Sequence, residues 1–439
     1  MPNSVSHRAV SLTPGEHSVS LDKLSSNAIK VCERLHSAGF EAYLVGGCVR
    51  DILLGKQPKD FDIATSARPE QIKGLFRNCR LIGRRFRLAH IVFGREIIEV
   101  ATFRGPHNGE QAPSQTNDVA KADEQGQLVR DNVYGTIEED AVRRDFTVNA
   151  LYFGVHNGKV IDFVGGLQDL KARRLCLIGD PETRYREDPV RMLRAVRFAA
   201  KLNMEIDEPS SDAIHHHAGL LQNIPPARLF EEVLKLLFNG QGLLTYELLE
   251  EFGLFAQLFP QTANLTKIVG SREARFVEQV VINTDNRINN GQRVTPAFIY
   301  AALLWYPIEE ATAQYQIESG LSPADAFSMA CSSVLSSQLK RIMIPKRFSI
   351  PMREIWHFQH RLSKRYGRRA YQMLAHPRFR AAYDFLLLRG QIEGGDLFEL
   401  AQWWTDFQEA NNEQRKTMLD ALKQSSPSKG RYRRKRKKS

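Results

Sequence analysis

Asp60 and Asp62 stand one residue apart in KDFDIAT, a stretch that otherwise reads as an apolar strand. Side chains alternate along a strand, so residues two apart share a face. The two carboxylates therefore project together, with Phe61 and Ile63 turned the other way into a core. Two anions this close repel, and one takes up a proton unless a cation sits between them. Hard oxygen ligands at this spacing suit Mg²⁺. Upstream, Gly46 and Gly47 end the apolar run EAYLV and open the stretch CVRDILLG. Glycines at such a turn let the backbone approach phosphates closely, and a helix N-terminus favours anions. A phosphate-binding turn followed by a metal-holding strand points to nucleotide phosphoryl transfer.

The elements that position these residues follow from periodicity. An amphipathic helix is expected around 21–40, with Leu24, Ala28, Val31 and Leu35 near helical spacing. EAYLVGG reads as a buried strand, CVRDILLG as a short helix and KDFDIAT as a strand. RPEQIKGLF reads as a helix with Pro69 in its first turn. NCRLIG, LAHIVFG and EIIEVATFR read as further strands. Residues 105–128 are polar and rich in Gly, Pro, Asn and Gln, and are expected to form a long mobile loop. A helix is expected near IEEDAVRRDFTVNALYF, and a strand pair with glycine turns over GKVIDFVGGLQDLKARRLCLIG. From about residue 181 onward the pattern is helical. The expected fold is a mixed α/β head followed by an all-α neck and body. Its segments are a disordered N-terminus (1–20), a head (21–180), a helical neck (181–240), a helical body (241–424) that binds RNA, and a disordered basic tail (425–439).

Composition narrows the class. A chain of 439 residues with 42% hydrophobic and 25% charged residues is an ordinary globular protein of more than one domain. No apolar run is long enough to span a membrane, and the polar N-terminus has no secretory character. The five cysteines include no C-x-x-C pair, which supports neither a zinc knuckle nor a disulfide framework and fits a reducing cytoplasm. His215, His216 and His217 are adjacent on a helix, so at most two could share an ion; they read as solvated helix surface. The net charge is +11, and the terminal segment holds eight of the basic residues: Lys429, Arg431, Arg433, Arg434, Lys435, Arg436, Lys437 and Lys438. A block of this kind is disordered and favours polyanions.

LVGGCVRDILLGKQPKDFDIAT resembles the head motif of the class II nucleotidyltransferases of the polymerase-beta superfamily. That group includes the tRNA CCA-adding enzymes and the bacterial poly(A) polymerases. EEDAVRRDFTVNALYF is similar to its second motif, and GDPETRYREDPVRMLRAVRFAAKL to its nucleotide-reading motif; together they cover roughly residues 21–240 in order. The resemblance implies that Asp60 and Asp62 hold two Mg²⁺ ions and that Gly46, Gly47 and Arg50 receive the triphosphate. It assigns Asp145 as a third catalytic carboxylate, with Glu99 on IIEVATF as the geometric competitor. Arg143 and Arg144 become phosphate clamps, or else an ordinary ion-paired face. Asn149 would meet the ribose, or cap local backbone. Glu187, Asp188 and Arg191, three and four apart, would crowd one side of a helix and read a base edge as a protein template. The plainer alternative is a helix start with Pro189 in its first turn and an ion pair. Arg194 and Arg197 continue that basic side toward triphosphate or primer.

Within the group, LIGRRFRLAHIVF, with Arg84, Arg85, Phe86 and His90, resembles the stretch that marks the bacterial poly(A) polymerases. No His-Asp dipeptide occurs, so the phosphohydrolase domain of some CCA-adding enzymes is not expected. The basic tail suits an enzyme that holds varied RNAs by charge. The expected function is therefore untemplated addition of AMP from ATP to single-stranded RNA 3′-ends, a modification that promotes RNA turnover. The alternatives are CCA addition to tRNA and, more distantly, a non-catalytic RNA-binding protein whose head has decayed. Decay would have removed the carboxylates or glycines, and all remain.

Overall fold

The computed structural model describes residues 9–83, 87–105, 121–122, 128–130 and 133–424. The chain divides into two compact units, Met1–Asn223 and Ile224–Ser439. This boundary falls inside the stretch 181–240 that was expected to form one neck.

The first unit carries the strands. In chain order it holds β1 (Val10–Leu12), α1 (Ser26–Ser37), β2 (Ala42–Val45), α2 (Gly47–Leu53), β3 (Asp62–Thr65) and α3 (Pro69–Leu75). β4 (Cys79–Ile82), β5 (Leu88–Phe93) and β6 (Glu96–Thr102) follow, then β7 (Lys121–Ala122), β8 (Leu128–Arg130), α4 (Ile137–Arg143), β9 (Leu151–Gly154) and β10 (Lys159–Asp162). α5 (Gly166–Ala172), β11 (Arg174–Leu175), α6 (Pro181–Glu187), α7 (Val190–Leu202), β12 (Glu205–Ile206) and α8 (Glu208–His217) complete it. Eight strands form one sheet in the order β1-β10-β9-β2-β3-β6-β5-β4. Its pairings are antiparallel except β3 with β6, which run parallel. That parallel pair fixes the site, because it starts Asp62 and Glu99 side by side.

Helices cover the sheet. α1 buries Ala28, Val31, Cys32 and Leu35, the stripe its period demands, and Ser25 caps its first amides. Ile137 and Ala141, one turn apart on α4, join a buried cluster with Tyr43, Val45, Ala64, Phe103 and Tyr152. Thr136 and Glu139 form a capping box that fixes where α4 begins.

Several expectations are corrected. Val10–Leu12 pairs with β10, inside the stretch 1–20 where disorder was expected; alternation with a sheet edge needs only three residues and leaves little sequence pattern. Lys121–Ala122, inside the loop expected over 105–128, pairs with Leu128–Arg130, which begins where that loop ends. The helix expected through IEEDAVRRDFTVNALYF ends at Arg143, and the chain then makes a short 3₁₀ turn at Thr147–Asn149 and enters β9. Gly166–Ala172 is a helix, where a strand pair was expected. The Asp162 carboxylate starts it by accepting the amides of Val164, Gly165, Gly166 and Leu167. Gly166 itself is required there, since a methyl group would stand 2.2 Å from the Thr147 carbonyl oxygen.

The second unit is helical among its described residues, from Pro226–Leu237 to Asn412–Gln424. Two of its tryptophans are anchored by their polar ends: Trp356 donates to the Ala301 carbonyl at 2.9 Å and Trp404 to the Leu362 carbonyl at 3.0 Å. Among the described residues no helix is long and apolar enough to cross a membrane. The mixed head sheet and the helical remainder match the fold class expected from the sequence. The tail residues 425–439, and Arg84, Arg85 and Phe86, lie outside the described residues.

Candidate active site

Asp62 opens β3 and Asp60 precedes it by two residues; both are exposed, whereas Phe61 and Ile63 between and after them are buried. Backbone pairing sets Asp62 beside Val45 on β2 and beside Glu99 on β6. His90 on β5 lies across from Glu99 in register, and its Nε2 is 3.1 Å from Glu99 Oε2. Partial enclosure of Asp62 raises its pKa to about 6, and the Glu99 and Asp60 carboxylates push it the same way. Arg144 and His90 pull against this and do not cancel it. Asp62 is thus a carboxylate that the fold leaves short of positive charge.

Asp62 and Glu99 line a pocket of about 200 Å³ with Leu88, Arg104, Asp140, Arg143 and Arg144. Arg144 is held firmly. Its Nε and Nη2 donate to Asp140 Oδ2 at 3.1 and 3.0 Å, Nε also reaches the Tyr152 hydroxyl at 3.0 Å, and the guanidinium lies 5.2 Å from the Tyr152 ring centre. Asp140 is 5% exposed and also accepts the Tyr152 hydroxyl and the Arg104 amide. Burial opposes the Arg144 charge, but Tyr152 and Asp140 outweigh it and raise the pKa. Its remaining nitrogen, Nη1, faces the glycine turn: a methyl group on Gly46 would stand 3.7 Å from Nη1 and 3.5 Å from the Asn149 carbonyl oxygen. Gly46 has φ 75°, a left-handed conformation that side chains resist, while Gly47 is the first residue of α2. α2 is only seven residues long, so the turn offers an open backbone more than a helix dipole.

Asp145 stands elsewhere. It is not among the residues lining this pocket. Its Oδ2 accepts Arg194 Nε at 2.8 Å and Nη2 at 2.5 Å, and its Oδ1 accepts the Phe146 amide and Asn149 Nδ2. Burial alone would raise its pKa, but the Arg194 guanidinium dominates and holds the carboxyl well below the usual range. Asn149 Oδ1 in turn accepts from Arg50, which is 2% exposed and pairs with Asp51 at 2.6 Å. Arg50, Arg194 and Arg197 all lie about the Phe198 ring, at 5.3, 5.3 and 4.9 Å. Asp145, Asn149, Arg50, Arg194 and Arg197 therefore form one internal brace that ties α2, the 145–149 turn and α7 together. Glu99 is the carboxylate placed next to Asp62. Asp145 is not, because the helix expected to present it ends two residues earlier.

The residues expected to read the base do not share one helix. α6 ends at Glu187, Asp188 is extended (φ −149°, ψ 92°), and α7 restarts after Pro189. Proline disfavours helical backbone in the residue before it, which explains the break. Glu187 Oε2 accepts both Arg184 Nη1 at 2.7 Å and Arg191 Nη1 at 2.9 Å. The Asp188 carboxylate accepts the Val190 amide at 3.3 Å. His216 and His217 meet the Glu182 carboxylate, and no group of three His, Cys, Asp or Glu forms a metal cluster among the described residues.

Sequence reasoning missed Asp140, Tyr152 and Arg184. The i,i+4 spacing of Asp140 and Arg144 was a legible signal for one pair. The i,i+3 spacing of Arg184 and Glu187 was a second such signal, whereas Tyr152 and the carbonyl contacts of Arg184 gave none, since those partners lie on other elements or are backbone.

Comparisons with known proteins agree with this architecture. A family model described as the poly A polymerase head domain matches residues 42–176. One described as a probable RNA and SrmB-binding site of polymerase A matches 203–266, and one described as the polymerase A arginine-rich C-terminus matches 319–438. Poly(A) polymerase I of Salmonella typhimurium is 54% identical over 93% of this chain and 87% of its own length. The chain belongs to the bacterial poly(A) polymerase family. Poly(A) polymerase I of Escherichia coli O157:H7, another member, is 52% identical over 99% of this chain and 93% of its own. A CCA-adding enzyme from Lactobacillus helveticus, by contrast, is 38% identical over 50% of this chain and 52% of its own. Among solved structures, the Bacillus stearothermophilus CCA-adding enzyme in complex with CTP superposes with a TM-score of 0.55 at 24% identity, covering 87% of this chain and 82% of its own. That likeness extends the shared fold beyond the poly(A) polymerase family.

Proposed function

We propose that this member of the family adds AMP from ATP, without a template, to RNA 3′-ends in the cytoplasm. Near-full-length identity to poly(A) polymerases is the observation that carries this, set against similarity to a CCA-adding enzyme over half the chain. Asp60 and Asp62 supply hard oxygen ligands that fit two Mg²⁺ ions, and the excess of negative charge around Asp62 suits cation binding. With two carboxylates from the protein, the ATP phosphates and water would complete each coordination shell. When bound, the ions supply activation of the RNA 3′-hydroxyl and neutralisation of the departing pyrophosphate.

The chain's own residues do the rest. Gly46 leaves the backbone open to the triphosphate, and Arg144 Nη1 meets it from the side. Glu99 acts as the third site carboxylate, oriented by His90. Asp145, Asn149, Arg50, Arg194 and Arg197 brace this arrangement from behind. Asp188 and Arg191, at the α6–α7 break, read the base, with Glu187 holding Arg191. The eight cations of 429–438 hold single-stranded RNA.

Purified protein supplied with a generic RNA, Mg²⁺ and each nucleoside triphosphate separately should extend the RNA into long A ladders. Addition restricted to C, C and A on tRNA would support the CCA-adding alternative instead. Deleting residues 425–439 should leave turnover at saturating RNA nearly unchanged and flatten the salt dependence of RNA binding, by about 0.7 in log–log slope for each phosphate no longer neutralised. An unchanged slope would place RNA binding elsewhere.

A further inference from the structure

We infer that Arg184 is the positioning residue that couples placement of the triphosphate to choice of the base. The inference rests on the proposed base-reading role of Asp188 and Arg191.

Arg184 lies on α6 and is 14% exposed. All three of its guanidinium nitrogens are engaged, by three separate segments. Nη2 donates to the Arg143 carbonyl at 2.8 Å and the Arg144 carbonyl at 2.7 Å, where α4 ends. Nε donates to the Ile178 carbonyl at 3.1 Å. Nη1 donates to Glu187 Oε2 at 2.7 Å, the same oxygen that accepts Arg191 Nη1. Arg191 Nη1 also donates to the backbone carbonyl of Arg184 at 2.7 Å. The backbone carbonyl of this one residue thus touches Arg191 directly and its guanidinium reaches Arg191 through Glu187, while the same guanidinium grips the backbone of the two arginines that line the carboxylate pocket.

A guanidinium is planar and rigid, so its donors move as a unit. A shift of the Arg143–Arg144 turn as those side chains engage phosphate must displace the two carbonyls. The fork carries that displacement to Glu187 and so to Arg191. A lysine could neutralise Glu187 or cap a carbonyl, but it could not fix both in one plane. The placement is also costly for the cation: burial and then the neighbouring Arg191 lower its pKa to about 10. Simple capping of a helix end does not require that cost.

The test uses the full chain with Arg184→Lys and Arg191→Ala, measuring kcat/KM for AMP and for CMP addition to one RNA primer. Inorganic triphosphate binding and thermal unfolding serve as parallel readouts. Arg184→Lys is expected to lower the preference for ATP over CTP roughly tenfold, with inorganic triphosphate affinity nearly retained. If Arg184→Lys lowers only the unfolding temperature and leaves the preference intact while Arg191→Ala changes it, Arg184 is merely structural and the inference fails alone. If Arg191→Ala also leaves the preference intact, the base-reading assignment falls and the inference with it. Should Arg184→Lys not fold, Arg184→Gln, which removes the buried charge, decides the question by the same ratio.

Discussion

Asp62 and Asp145 are carboxylates of the first unit, each crowded by charged neighbours, and the fold treats them in opposite ways. Asp145 receives a guanidinium, an amide and a side-chain amide, and its charge is locked in. Asp62 is partly enclosed and receives Glu99 and Asp60 as neighbours, and its pKa rises to about 6. A group with every partner supplied by the protein has nothing left to offer a ligand. A group left short of positive charge is built to receive one. The difference teaches that satisfaction, more than burial or sequence motif, separates the brace from the reacting centre.

The strongest way to break this contrast is to remove the unsatisfied pair. Asp60→Ala or Asp62→Ala should lower nucleotide addition on the order of 10³-fold or more, with unfolding temperature and RNA binding close to those of the unmodified chain. Near-normal turnover in either would end the metal-holding assignment. Glu99→Gln should follow, with turnover reduced roughly 10- to 100-fold. An unaffected Glu99→Gln beside a dead but folded Asp145→Asn would return the third-carboxylate role to Asp145.

Asp145→Ala should instead be felt in stability. Breaking the Arg194 pair is expected to cost about 2 kcal/mol, below the range for fully buried pairs because Arg194 keeps 33% of its side chain exposed. Denaturant unfolding measures this directly, and a loss of activity without loss of stability would overturn the brace.

The smallest effect sharpens the contrast most. The folded-state pKa of Asp62 lies above the ordinary value of 3.8, so the folded chain holds an extra proton between that value and about 6. Stability from this group is therefore present at low pH and is lost as pH rises through about 6. Asp62→Asn has no such charge. In chelator at pH 8 it should unfold on the order of 1–2 °C higher than the unmodified chain, and the gain should vanish near pH 4. Added Mg²⁺ and ATP should reverse the order. A destabilised Asp62→Asn at pH 8 in chelator would show that the carboxylate is satisfied after all.

Local pattern made α1, β2, β3 and the glycine turn legible, because each carries its own signal: a 3.6-residue stripe, an apolar run, a D-x-D alternation and a glycine pair. The pairing of Asp60 with Asp62 was equally local, since strand geometry alone puts residues two apart on one face. Family resemblance then supplied the activity that the comparisons support. The helix break at Asp188–Pro189 was also written in the sequence, as a residue forced out of helical backbone by the proline after it.

What only the tertiary structure decided is which charges meet. β3 and β6 pair in parallel register across more than thirty intervening residues, and that register, rather than any spacing, sets Glu99 beside Asp62. The same holds for Arg194 on α7 reaching Asp145, and for Arg184 on α6 reaching the carbonyls at the end of α4. A sequence determines the period and side of each short element, because those follow from one residue's neighbours in the chain. It does not show which carboxylate is satisfied and which is left wanting, because that depends on electrostatic partners brought together across the sheet and between helices by packing.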